Sequence, residues 1–262
     1  MLLNHCRLYA PLSGGFAGED CCVELDGGKI TAVGPARPDT AEAFDCGGQT
    51  LLPGLIDLHT HITFLRNVGV AQAHDPMQLV VEAAAQADRY LRHGFTTIRD
   101  CGSIRRSATY LSEATTDLLL TSEDSYLVPT LAAMYVSQTD PQERSFWLSR
   151  LTPMLEDCAK TIGYAYRAGA VIGFGTDSVP MSPQYDTGVE FRFRKEYCGM
   201  ENLDILLQAT KNSALIAGLP DVGEIKAGMK ADLILVAGDP AADLSAMYVP
   251  PVQVWKNGIA RK

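Results

Sequence analysis

Apolar positions fall in short alternating runs at both ends of the chain and in longer, helix-spaced runs through its middle. Leu2 to Tyr9 and Cys21 to Leu25 are apolar-rich, and Asp26-Gly27-Gly28 separates the second from Lys29 to Val33. Asp-Gly between such runs predicts a hairpin, because glycine takes the positive φ that a tight turn demands. The C-terminus repeats the pattern. Ala231 to Val236 predicts a strand, and Val252 to Trp255 meets Asn257-Gly258 at a second hairpin. Both ends read as β, and together they predict one small β domain assembled from the two termini.

The middle alternates strand and helix. Leu55 to His59 is a short apolar strand. Asp75-Pro76 offers an N-cap and a proline where its missing N–H costs nothing. Val80, Ala84, Ala87 and Leu91 then recur at helical spacing, with Gly94 as the stop. Phe95 to Asp100 is the next strand, and a helix is expected from Ile104 to Leu120. The run Tyr126 to Leu131 comes next. Asp140-Pro141, with Glu143 behind the cap, opens a helix to about Gly169 that should kink at Pro153. Val171 to Thr176 predicts a strand and Asn202 to Ala217 a helix closed by Gly218. Alternation of this kind specifies a parallel sheet covered by helices.

Composition narrows the possibilities. The 262 residues carry 47% hydrophobic and 20% charged residues, a globular balance. The formal net charge is −9, which argues against nucleic acid and anionic membrane as partners. The densest basic stretch, Arg192, Arg194 and Lys195, is flanked by Glu190 and Glu196. No apolar run reaches the roughly 18 residues of a membrane span. No signal peptide is visible, so the cytoplasm is the default compartment. The seven cysteines are scattered without a Cys-x-x-Cys pair and read as buried, reduced thiols. Cys101 is the exception, because it ends a strand near polar groups.

Two clusters carry candidate chemistry. His59 and His61 sit at i and i+2 on the strand that follows Pro53-Gly54, so both imidazoles face the same side and can reach one ion. Gly175-Thr176-Asp177-Ser178 places an acidic residue just past another apolar strand, where parallel α/β sheets hold their sites.

Pro53-Gly54-Leu55-Ile56-Asp57-Leu58-His59-Thr60-His61, Gly175-Thr176-Asp177-Ser178 and the tail Gly223-x-Ile225-x-x-Gly228-Met229-Lys230-Ala231-Asp232-Leu233 resemble the amidohydrolase superfamily. The nearest branch is that of prolidase-like and imidazolonepropionase-related metal-dependent hydrolases. Gly94 to Asp100 and Ala209 to Ala214 match that branch as well. The resemblance implies a metal-carrying (β/α)₈ barrel, with Tyr126 to Leu131 as one of its strands, and a sandwich from the two termini. It implies that His59 and His61, on the first barrel strand, are metal ligands. Asp177, on the last strand, becomes both a metal ligand and the catalytic residue that moves the water's proton.

Members of the branch also supply a bridging carboxylated lysine and two histidines from central strands. Of this chain's five histidines, His5 belongs to the sandwich, while His74 precedes a helix and His93 ends it. Lys160 is the only lysine between Asp100 and Asp177, and it falls within a helix. Residues 54–222 are also too few for a full barrel, which takes about 250 residues. Strands one, two, seven and eight remain, and these are neighbours around a closed barrel. The expected fold is therefore α/β: a partial TIM-type barrel, about half of the eight strands, over 54–222, with the sandwich formed by 1–53 and 223–262. The expected cofactor is a divalent metal, zinc, at no more than one ion per chain. The expected partner is a small-molecule substrate with an amide or other C–N bond: an acylated amino acid, a dipeptide or a cyclic amide. A catalytically impaired remnant or binding module is the first rival, and a mononuclear enzyme is the second. An incompletely read coding sequence is the third. Open sheet edges predict a homo-oligomer.

Overall fold

The computed structural model describes residues 1–62, 76–101, 126–135, 141–178 and 188–261, with backbone alone for 76–80. The expected helix from Ile104 to Leu120, His74 and the caps Asp75 and Asp140 lie outside the described residues. The class is α/β with a mixed sheet. The chain divides into two compact units: Met1–Ile56, Tyr90–Thr97 and Asn202–Lys262 in the first, Asp57–Arg89 and Ile98–Glu201 in the second.

The first unit is built on a sheet drawn from both termini. Its strands are β1 (Leu2–Leu8), β2 (Gly18–Asp26), β3 (Lys29–Pro35), β4 (Ala43–Asp45), β5 (Thr50–Pro53), β8 (Leu233–Val236), β9 (Gln253–Lys256) and β10 (Ile259–Ala260). They run in the order β10-β9-β8-β5-β1-β2-β3, with β4 beside β1. The two expected hairpins form as anticipated. Gly27 and Gly28 (φ 54° and 79°) turn β2 into β3, while Asn257 and Gly258 (φ 51° and 72°) turn β9 into β10. Positive φ at both central residues matches the twist of the paired strands. β5 joins the ends of the chain by pairing antiparallel with β8, Leu51 opposite Leu235. Leu3, Cys6, Val23, Ile30, Leu51, Leu233 and Trp255 fill the core, with Phe44 packed edge-on against Trp255 at 5.2 Å.

All seven cysteines are free, and Cys6, Cys21, Cys22, Cys46 and Cys198 are buried; Cys101 and Cys158 are exposed, against the expectation of burial for Cys158. The expected single helix from Asn202 is interrupted. α4 (Asn202–Leu207) passes through a π turn (Gln208–Asn212) into α5 (Ser213–Ile216). The buried Ser213 hydroxyl donates to the Gln208 carbonyl at 2.7 Å, and that of Thr210 to Leu206 at 2.6 Å. Hydroxyls competing for helix carbonyls loosen the regular ladder. Gly223 lies against this turn at φ 87°, where a Cβ would come within 2.7 Å of the Ala214 Cβ.

The second unit receives the C-terminal ends of β6 (Leu55–Thr60) and β7 (Phe95–Asp100), which pair with each other. It also holds α1 (Pro76–Arg92, continuing to Arg89 in this unit), α2 (Pro141–Arg167) and α3 (Gly188–Glu196). Pro153 lies inside α2. The expected strand from Val171 to Thr176 is an extended segment held by isolated bridges instead. Leu127 bridges Ile172 and Thr60 bridges Ser178, both parallel. The expected Tyr126 to Leu131 strand is reduced to its bridge at Leu127, ahead of a 3₁₀ turn at Leu131–Met134. The reason lies in Pro129. Pro129 has no N–H to give to Gly173 O, the rung that would follow Leu127 N to Val171 O and Gly173 N to Leu127 O, and Arg194 takes up the carbonyls instead, Nη1 on Gly173 O at 3.0 Å and Nη2 on Pro129 O at 2.8 Å. Among the described residues, no helix is long and apolar enough to cross a membrane.

Candidate metal centre

Apart from Asp57, β6 is apolar and buried as far as His59, which is half-exposed. The segment 174–178 runs parallel beside it. Leu58 N donates to Phe174 O at 2.8 Å, Asp177 N to His59 O at 2.8 Å and His61 N to Ser178 O at 3.1 Å. This register brings Asp177 level with both histidines. Asp177 Oδ1 lies 3.2 Å from His61 Nε2 and 3.7 Å from His59 Nε2. One donor atom from each of the three residues falls within 4.8 Å of the others. Ligands about 2.0–2.1 Å from a tetrahedral ion stand about 3.3 Å apart, close to the 3.2 and 3.7 Å that separate Asp177 Oδ1 from the two imidazoles.

Asp177 holds φ at 54°, a left-handed conformation uncommon outside glycine, asparagine and aspartate. Outliers of this kind cluster at functional sites, where the surrounding structure over-determines them. Burial pushes the His59 imidazole below its ordinary pKa against the pull of Asp177, and so favours the neutral form that binds metal.

Beneath the cluster lies a carboxylate that sequence reasoning quoted only as part of a motif. Asp57 is fully buried, and burial pushes its pKa up to about 7 even though hydrogen bonds from Thr176 and His59 pull the other way. Its signal was a charged residue inside an apolar strand. A second missed pair is Glu190 and Arg194, read as part of a basic stretch. Both are fully buried, bonded at 2.8 Å, and Arg194 stacks over Phe174 at 4.7 Å. Their signal was i, i+4 spacing beside Phe191 and Phe193.

The other described histidines and Lys160 are not members of this cluster. His93 follows α1, His5 lies in β1, and Lys160 is exposed on α2, 3.1 Å from Asp157. Arg99 donates Nε to Leu58 O at 2.7 Å. Cys101 N donates to Thr60 O at 2.8 Å, which places the thiol beside the end of β6. Among the described residues, His59, His61 and Asp177 are the one group of three such side chains that could hold a metal.

The sequence profile of the Amidohydrolase family matches residues 50–145 and 148–260. An imidazolonepropionase of Rhizobium rhizogenes is 40% identical over 63 residues, covering 22% of this chain and 16% of that protein. A dihydroorotase of Mycobacterium tuberculosis is 48% identical over 60 residues, covering 22% and 13%. The matched stretches thus span less than a fifth of these curated relatives. A crystal structure of a prolidase complexed with N-methylphosphonate-L-proline superposes with a TM-score of 0.79 at 18% identity, covering 99% of this chain and 98% of that one. At that identity the likeness concerns the fold alone.

Proposed function

The chain belongs to the amidohydrolase family, and from that membership we propose a metal-dependent hydrolase that cleaves an amide or other C–N bond in a small molecule. The observation that carries this reading is the convergence of His59, His61 and Asp177 donor atoms within 4.8 Å. The three residues hold one divalent ion, zinc by the chemistry of two imidazoles and a carboxylate. When bound, such an ion supplies Lewis acidity, which lowers the pKa of water and polarises a carbonyl. The chain's own part is proton transfer: an attacking water must lose a proton and the leaving nitrogen must gain one. The Asp177 carboxylate can do both. The prolidase complexed with a phosphonate of proline supports acylated amino acids and dipeptides as the substrate class, with cyclic amides next.

In this reading residues 54–222 form half a barrel, residues 1–53 and 223–262 form a sandwich, and the protein acts in the cytoplasm as a homo-oligomer. The ligand count favours a second reading: three donors with no further group beside them among the described residues suit a catalytically impaired remnant or binding module on the same scaffold.

Metal content and turnover of the parent and Asp177→Asn, measured together on N-acyl amino acids and Xaa-Pro dipeptides, test the proposal. Asparagine tolerates positive φ, so the substitution should leave the thermal midpoint unchanged. It cannot take a proton at neutral pH, and losing a general base costs about 10²–10⁴ in rate. Asp100→Asn should cost less. The parent should retain at most one equivalent after dialysis. Two equivalents, or equal turnover in Asp177→Asn, overturn the assignment; metal retained without turnover selects the impaired scaffold.

A further inference from the structure

Asp57 is 0% exposed and contributes nothing to the donor cluster, yet every hydrogen bond it accepts goes to a segment that carries a donor. Its Oδ1 accepts from His59 N at 3.0 Å and from Thr176 N at 3.1 Å. Its Oδ2 accepts from the Thr176 hydroxyl at 2.6 Å. That hydroxyl oxygen in turn accepts from Ser178 N at 3.2 Å. Thr176 and Ser178 flank Asp177, whose own N–H is spent on His59 O at 2.8 Å. The backbone on both sides of the left-handed Asp177 is thereby tied to one buried carboxylate, and the same carboxylate ties down His59.

We propose that Asp57 and Thr176 are positioning residues of the metal centre: a buried clamp that fixes the His59 and Asp177 backbones so that their donor atoms meet at ion-binding distance. The inference rests on the metal-centre reading above and deepens it. The geometry explains why a carboxylate occupies an otherwise apolar strand. An apolar residue at 57 would leave the Thr176 N–H and hydroxyl without their partner in a buried site, and buried donors are costly to leave unpaired. It also explains how φ of 54° persists at Asp177: the turn is held from both neighbours. Groups that orient ligands are worth about 10–100-fold in metal affinity, because a ligand displaced by a fraction of an ångström no longer reaches the ion.

Zinc affinity, measured by competition with a chromophoric chelator, separates this role from ordinary structural support when the thermal midpoint of the metal-free protein is recorded alongside. Thr176→Val keeps the shape of the side chain and removes the hydroxyl. Its zinc dissociation constant should rise about 10–100-fold. Thr176→Ser, which restores the hydroxyl, should return it to the parent's value. Asp57→Asn keeps an acceptor for the two N–H groups and loses the one for the hydroxyl. It should weaken zinc by a similar factor, and it serves where Thr176→Val fails to fold. A folded Thr176→Val or Asp57→Asn with the parent's zinc affinity and only a lowered midpoint overturns the clamp while leaving the metal centre standing. A parent chain without zinc affinity overturns the metal-centre reading, and the clamp falls with it.

Discussion

His5 adopts a left-handed φ of 56° where the pairing of β1 with β2 shifts register between Leu3 and Cys6. A bulge of this kind re-aims a side chain, and the imidazole lies between two carboxylates. Nδ1 is 2.8 Å from Asp20 and Nε2 is 2.8 Å from Asp39. Hydrogen bonds to Asp39 first, and then to Asp20, hold the pKa up at about 9. An unfolded histidine titrates near 6.5, so the stabilisation is complete below about pH 6.5 and is lost as the pH rises through about 9. The His5 ring signals followed by NMR should titrate with a midpoint well above 6.5. The thermal midpoint should fall between pH 6 and pH 9.5 more in the parent than in His5→Gln. A ring that titrates near 6.5 would remove the double ion pair from the solution structure. Histidine at a bulge leaves no periodic trace, so this role was hidden in the sequence. The ligands His59 and His61 were visible because their i, i+2 spacing on an apolar strand has a direct geometric meaning.

α3 works against the segments beside it through one buried ion pair. Glu190 Oε1 takes Arg194 Nε at 2.8 Å while Oε2 takes Ala132 N at 2.7 Å. Arg194 then reaches Gly173 O and Pro129 O. One helix thus satisfies backbone groups of two extended segments, and one of those leads directly to Thr176 and Asp177. Arg194→Met would strand the Glu190 carboxylate in the interior, and breaking a buried pair in this way costs about 3–5 kcal/mol. Glu190→Gln combined with Arg194→Met removes the stranded charge and should be more stable than Arg194→Met alone. Urea unfolding of the parent, the single and the double variant measures both, and a double variant no better than the single would assign the loss to the carbonyls that Arg194 caps. The hairpins at Gly27-Gly28 and Asn257-Gly258 were legible at this scale because two residues decide them locally. The π turn was not, because competing hydroxyls decide it, whereas the ladder between 126–131 and 171–176 stops at Pro129, a proline inside an expected strand.

The two compact units divide the molecule's tasks. The cluster of Leu3, Val23, Leu51, Leu235 and Trp255 lies wholly in the first unit, and His59, His61 and Asp177 lie wholly in the second. The motifs at both ends of the chain were readable because they are local runs of residues, whereas the division itself cuts through β6 and β7 and has no mark in composition. Its energetic consequence can be measured by amide exchange. A ligand at one hundred times its dissociation constant adds about 2.7 kcal/mol to the state that binds it, which is about a hundredfold slower exchange for amides that open with the site. Zinc at that level should slow exchange at His61 N and Asp177 N, whose acceptors are Ser178 O and His59 O. The amides of Leu51 and Leu235, residues opposite each other in β5 and β8, belong to a core that contains no ligand and should keep their rates. Removing zinc with a chelator should reverse the effect, and Asp177→Asn should show little of it. Equal slowing at Leu235 and Asp177 would mean that the two units open as one, and the separate-unit picture would fall. Slowing at neither would mean that zinc does not bind at the cluster.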